Sequence, residues 1–175
     1  MVDPIGSREA DVTRRARNIK LVMFDVDGVL TDGKITYSER GDEIKSFHVQ
    51  DGSAIKRLID NGIEVALVTG RTSAIVERRA KELGIKHVHQ GVSDKSSAFE
   101  TLLATLDLRP EQCAHVGDDV QDVVLFEQVG LAIAVANGVP EARAAAQHVT
   151  ERAGGEGVAS EVCSMLLAAQ QHSLE

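Results

Sequence analysis

Ile19-Lys20-Leu21-Val22-Met23-Phe24-Asp25-Val26-Asp27-Gly28 is an apolar run that stops abruptly in two acidic residues and a glycine. Similar runs recur at 63–68, 113–116 and 131–135, with a shorter and more polar one at 86–89. Their length and β-branched content suit buried strands of a parallel sheet. Helical patterns lie between them. Ala54, Ile55, Leu58 and Ile59 recur at helical spacing, with Asn61-Gly62 as the stop. Ser73 is placed to cap a second helix that runs to 83, with Gly84 just beyond. Further helices are predicted at about 96–106, 120–128 and 158–170, and one follows Pro140, a residue suited to a first helical turn. Strand alternating with helix predicts an α/β fold: a three-layer, doubly wound, Rossmann-like parallel sheet.

One segment departs from the alternation. Residues 34–38 and 43–48 are extended stretches around Glu39-Arg40-Gly41-Asp42, which reads as a β-hairpin flap over about 34–48, directly after the first strand. No linker or composition shift marks a second domain, so residues 19–170 are expected to form one domain with no large cap. Residues 1–18 are expected to be peripheral, either a short helix or a loose arm, and 171–175 a tail without functional meaning.

The chain has 175 residues, enough for a sizeable core. It carries 19 basic against 27 acidic residues, a net charge of −8. That balance argues against nucleic acid as a partner, because neutralising phosphates needs a basic face. No apolar run reaches the roughly 20 residues of a membrane span, and no signal peptide is read at the start; the expected location is cytoplasmic. Cys113 and Cys163 form neither a disulfide framework nor a metal knuckle, and each is expected to be a buried thiol.

Ligands of a doubly wound sheet sit beyond the carboxyl ends of its strands. The first strand delivers Asp25 and Asp27 there, the second Thr69-Gly70-Arg71, and the run from 113 delivers Gly117-Asp118-Asp119 with Asp122 behind it. Ser93-Asp94-Lys95 precedes a helix at the same end. Taken singly, each is bland: an Asp-x-Asp is usually a turn or cap, and a lone lysine a solvated charge. Their conjunction at four strand or loop ends is not bland. Carboxylates are hard ligands for Mg²⁺. One aspartate can attack phosphorus and split a hard displacement into two easier ones. A second can protonate the leaving alkoxide and then activate water. A hydroxyl and an ammonium can hold the phosphoryl oxygens.

With these residues in place, the chain resembles the phosphatases of the haloacid dehalogenase superfamily. Asp25 to Gly33, Lys45-Ser46-Phe47-His48-Val49 with Asp51-Gly52, Val68-Thr69-Gly70-Arg71, His115 to Asp119 and Gly154-Gly155-Glu156-Gly157 are similar to a narrower group. That group acts on 3-deoxy-D-manno-octulosonate 8-phosphate, a precursor in lipopolysaccharide synthesis. The resemblance implies that Asp25 is the nucleophile and a Mg²⁺ ligand. It implies that Asp27 is the general acid/base with its backbone carbonyl on the metal, and that Asp118 is the third protein ligand. Asp119 and Asp122 would support the loop or the metal's waters, and Thr69, Gly70 and Lys95 would bind phosphate. It further implies a homotetramer in which a hairpin of one subunit helps close a neighbour's site.

Two positions depart from that pattern. Gln50 and Ser160 stand where the group commonly has arginine, which puts substrate recognition in question but leaves the four catalytic motifs intact. Arg71 reads equally as a binder of a substrate carboxylate or as a salt-bridge partner at a subunit interface. His87 and His89 read as a half-exposed strand edge rather than a metal site, and His115 as a packed residue. Three rivals are weighed: a phosphatase for a nine-carbon sialic-type sugar acid 9-phosphate, a phospho-receiver signalling domain, and an interaction-only relative, which is disfavoured because no catalytic carboxylate is missing. In a receiver the phosphorylated aspartate would end a middle strand and the lysine would come last; here Thr69 ends the middle strand and the second acidic group follows Lys95.

Overall fold

In the computed structural model, which describes residues 4–171 and side chains from residue 8 onward, the apolar runs form strands β1 (Leu21–Phe24), β4 (Glu64–Val68), β5 (His87–His89), β6 (Cys113–Gly117) and β7 (Leu131–Ala134). With β8 (His148–Val149) they make one parallel sheet in the order β5-β4-β1-β6-β7-β8. The chain winds outward from β1 through β4 to β5, then returns to the other side of β1. The strand order therefore reverses beside β1, where the loops after β1, β4 and β6 meet. Strand β8 escaped the sequence reading because two half-buried residues carry no periodicity.

Alternation along each strand divides the side chains between two cores. Val22 and Phe24 face a core with Ile55 and Leu58 of α2 (Val49–Asp60), Val76 and Ala80 of α3 (Ala74–Leu83), and Val162 and Leu166 of α7 (Val158–Gln171). Leu21 and Met23 face the other, built with Phe99 and Leu102 of α4 (Lys95–Leu106), Leu125 and Phe126 of α5 (Val120–Phe126), and Ala142 of α6 (Pro140–Ala145). The result is the expected three-layer doubly wound sheet without a large cap. Residues 4–16 form α1 (Pro4–Ala16), so helix is the alternative found for the start of the chain. It buries Val12 and Ala16 in the first core, while Arg15 donates to the Gly130 carbonyl at 2.8 Å.

The flap is narrower than the sequence suggests. Only β2 (Thr36–Tyr37) and β3 (Glu43–Ile44) pair, antiparallel, around Gly41 at φ +85°. Such a short hairpin has little stability of its own, and Ile35, Tyr37 and Ile44 remain exposed. Helix α2 begins at Val49, earlier than its apolar periodicity indicates, because His48 serves as N-cap and its Nδ1 accepts from the Gln50 amide at 3.3 Å. Both cysteines are buried and free, and burial pushes each thiol up to about 12.

Candidate active site

The loop after β1 turns tightly because the amides of Val29, Leu30 and Thr31 all reach the Val26 carbonyl at 3.0–3.3 Å. Gly28 sits inside that turn at φ +97°, and a Cβ there would lie 2.1 Å from Asp118 Oδ2. Only glycine lets the β1 loop and the β6 loop approach this closely. The Thr31 hydroxyl is buried beneath, donating to the Val26 carbonyl and accepting from the Gly28 and Gly33 amides.

The β6 loop is organised by Asp122 of α5. Its Oδ2 accepts from the amides of Asp118 and Asp119 at 3.0 and 3.1 Å. Its Oδ1 receives Lys95 Nζ at 2.5 Å and His115 Nε2 at 2.7 Å. Gly117 is required beside it, since a Cβ would stand 2.3 Å from the Asp122 carboxyl carbon. Burial works to raise the Asp122 carboxyl, but His115 and Lys95 together hold it well below the usual carboxylate range. Asp119 caps α5, accepting from Val120 N at 2.7 Å.

Asp25 and Asp118 have the opposite surroundings. Oδ1 of each is buried and takes no hydrogen bond; Lys95 Nζ stands 3.3 Å from Asp25 Oδ1 as an ion pair only. Burial, then the neighbouring charges of Asp25, Asp122 and Asp119, push Asp118 up to about 7. Burial likewise raises Asp25. One oxygen each from Asp25, Asp118 and Asp122 lie within 4.8 Å of one another. Because Asp122 already accepts four bonds, the bare oxygens are those of Asp25 and Asp118. A buried Asp118 oxygen without a partner, beside an Asp25 oxygen held only by the Lys95 ion pair, fits a hard divalent cation, whose charge would offset the carboxylates' repulsion.

Thr69 and Lys95 complete the pocket. Thr69 ends β4 and is buried, with its amide on the His89 carbonyl at 2.9 Å. Lys95 opens α4 behind its N-cap Asp94 and is likewise buried. Burial disfavours its ammonium, yet Asp25 and Asp122 raise it above its ordinary value, so it stays charged. An open cleft of about 210 Å³ is walled by Asp25, Asp27, Thr69, Gly70, Arg71, Lys95, Asp118, Asp119 and Asp122, together with Gln121. All nine residues singled out in the sequence thus meet in one cleft.

Their arrangement adds contacts that linear order does not show. The Asp27 side chain does not join the acidic cluster; it bonds Lys45 of the flap and lies 3.4 Å from Arg71. Arg71 is engaged within the chain, with Nη2 donating to Glu43 at 2.9 Å. His115 is packed against Phe126 as expected, but it also bonds Asp122. Lys45, Glu43 and Gln121 had no signal marking them as part of the site, beyond the presence of Lys45 in the flap motif. His87 lies 3.5 Å from Glu64 on the adjacent strand, a neighbour that sequence spacing could not reveal. On the tail, Arg152 Nη1 donates to Gln50 Oε1 and to the Gly157 carbonyl, both at 3.3 Å.

A sequence model of haloacid dehalogenase-like hydrolases matches residues 22–92 and 87–162. The 3-deoxy-D-manno-octulosonate 8-phosphate phosphatase KdsC of Yersinia pestis is 48% identical over 160 residues, covering 91% of this chain and 86% of the relative. That of Escherichia coli K12 is 47% identical over 165 residues, covering 94% and 88%. Among solved structures, the 3-deoxy-D-manno-octulosonate 8-phosphate phosphatase of Moraxella catarrhalis, in complex with magnesium ion, phosphate ion and a KDO molecule, superposes with a TM-score of 0.90. It is 43% identical and covers 93% of each chain.

Proposed function

This chain belongs to the haloacid dehalogenase-like hydrolases, and from that premise we propose that it is a Mg²⁺-dependent phosphatase of a sugar-acid phosphate monoester, 3-deoxy-D-manno-octulosonate 8-phosphate. The observation that carries the reading is the meeting of Asp25 and Asp118 oxygens that take no hydrogen bond with the buried ammonium of Lys95 in one cleft. Relatives of that name at 47–48% identity support the substrate.

The steps follow from the residues. Asp25 attacks phosphorus with a carboxylate oxygen while the bond from phosphorus to the sugar oxygen breaks, leaving an aspartyl-phosphate. Asp27 gives its proton to the departing alkoxide. It then takes a proton from the water that attacks the aspartyl-phosphate, which releases inorganic phosphate and restores Asp25. The Thr69 hydroxyl, the Gly70 amide and Lys95 hold the phosphoryl oxygens as charge builds. Asp25 and Asp118, with the Asp27 backbone carbonyl, would hold the Mg²⁺, which would neutralise phosphoryl charge. Asp122 supports the loop, its four acceptor positions already being taken, and Asp119 caps α5 beside it.

A homotetramer in the cytoplasm completes the proposal. The flap leaves Ile35, Tyr37 and Ile44 exposed, and a second copy of the chain would cover these apolar side chains. No helix among the described residues is long and apolar enough to cross a membrane. The test is a panel of phosphorylated sugar acids with Mg²⁺, run beside light scattering. The octulosonate phosphate is expected to have the highest kcat/KM, EDTA to stop turnover, and the mass to be near four chains. Preference for a nine-carbon sugar acid 9-phosphate would overturn the substrate, and an active monomer the assembly.

A further inference from the structure

Asp27 lies only two residues from Asp25, yet its carboxylate stays out of the Asp25, Asp118 and Asp122 cluster. Two cations hold it aside. Lys45 bonds its Oδ1, and Arg71 Nε stands 3.4 Å from its Oδ2. Lys45 is not a loose surface charge, since its side chain is 2% exposed. Both cations converge on Glu43 of the flap: Arg71 Nη2 donates to Oε1 at 2.9 Å, and Lys45 Nζ lies 3.3 Å from the same oxygen. The other oxygen, Oε2, accepts from the Ser73 hydroxyl at 2.5 Å. Ser73 is the N-cap residue of α3 but makes no cap bond, because its buried hydroxyl is taken by Glu43. Ser73 first, then Arg71 and Lys45, hold the Glu43 carboxyl below its ordinary range.

We propose that Glu43 is a positioning residue for the acid/base step, anchoring Lys45 and Arg71 as a fork that keeps the Asp27 side chain in the cleft but clear of the acidic cluster. The physical need is plain. A divalent cation between Asp25 and Asp118 attracts any carboxylate within reach, and Asp27 is two residues away. An acid/base group drawn onto that cation can no longer carry a proton to the leaving group. The proposal rests on reading Asp27 as the proton carrier.

The experiment compares kcat/KM on two esters that differ in their leaving group. The alkoxide of the sugar-acid phosphate must be protonated as it leaves, whereas the nitrophenolate of 4-nitrophenyl phosphate need not be. Asp27→Asn should lose at least about 100-fold on the sugar ester and far less on the aryl ester. Glu43→Gln should repeat that pattern, with about 10-fold loss on the sugar ester and less than about threefold on the aryl ester, since small misplacements of a catalytic group have effects of this order. Mg²⁺ affinity by calorimetry should be unchanged. Ser73→Ala, which removes the anchor from the other side, should show the same bias at about threefold and carries the test if Glu43→Gln does not fold. Equal losses on both esters, or none, while Asp27→Asn discriminates, would overturn the role of Glu43 alone. If Asp27→Asn does not discriminate either, the acid/base reading falls and this inference with it.

Discussion

Asp118 and Asp122 stand four residues apart at the same strand end, and their states are opposite. Asp122 is fully buried and accepts four hydrogen bonds, and its carboxyl is held low. Asp118 is less buried, has a bare oxygen, and is pushed up to about 7. Burial alone would give the more buried group the higher pKa. Hydrogen bonds from Lys95, His115 and two amides reverse that order. The lesson is a division of labour: a saturated carboxylate builds the loop, and an unsaturated one is left to bind.

The largest effect expected from this contrast is on turnover. Asp25→Asn removes the attacking carboxylate and one of the two proposed anionic metal ligands, and should cost more than about 10⁴-fold in kcat. Circular dichroism should show the fold retained. Turnover near the wild-type rate would break the distinction between binding and building carboxylates.

Asp122→Ala should act on stability as well. It leaves Lys95, His115 and two amides without their acceptor, and removing one partner of such a buried charge network costs about 3–5 kcal/mol. Urea denaturation should show a loss of that size. Asp118→Asn should show no comparable loss without metal, because its oxygen makes no bond to lose. Equal losses in the two variants would contradict the comparison.

The third effect depends on pH. Asp118 is pushed up to about 7 in the folded chain, so between about 4 and 7 its native state holds more protons than the unfolded one, and Asp25 is raised in the same direction. Stability from Asp118 is therefore present at low pH and is lost as pH rises through about 7. Mg²⁺ should restore it where both are ionised, by about 2.7 kcal/mol at a hundredfold excess over Kd. Thermal melts with Mg²⁺ or EDTA should diverge more at pH 8 than at pH 5.5, and a larger divergence at pH 5.5 would reverse the assignment.

The smallest effect concerns the tail. Arg152 already brings a guanidinium to Gln50, on a partly exposed surface where one ion pair contributes about 0–1 kcal/mol. Gln50→Arg and Ser160→Arg should therefore change kcat/KM on the octulosonate phosphate by less than about fivefold. A tenfold gain would mean that Arg152 does not stand in for the arginines common in similar phosphatases.

The readable part of this protein lay in residues whose meaning is local. An apolar run ending in Asp25-Val26-Asp27-Gly28 is a strand followed by a turn in any parallel sheet, and strand ends of such a sheet share one side. That is why the three-layer fold and the nine residues of the cleft followed from linear order. Gly84 behind α3 and Pro140 at the start of α6 are equally local, since each depends on a single residue's backbone freedom.

What only the tertiary structure decided was which polar atoms met. Ser73 looks like a cap, but Glu43, 30 residues earlier, takes its hydroxyl. Asp51 looks like an ordinary first-turn acid of α2, yet it is buried and accepts from Ser160 N at 2.8 Å, serving the first turn of α7 from 109 residues away. Asp118 and Asp122 are the same residue type in one motif, and nothing in their spacing says which is saturated. Hydrogen bonds depend on distance and direction in space, so the roles of identical carboxylates are set only when the chain has closed around them.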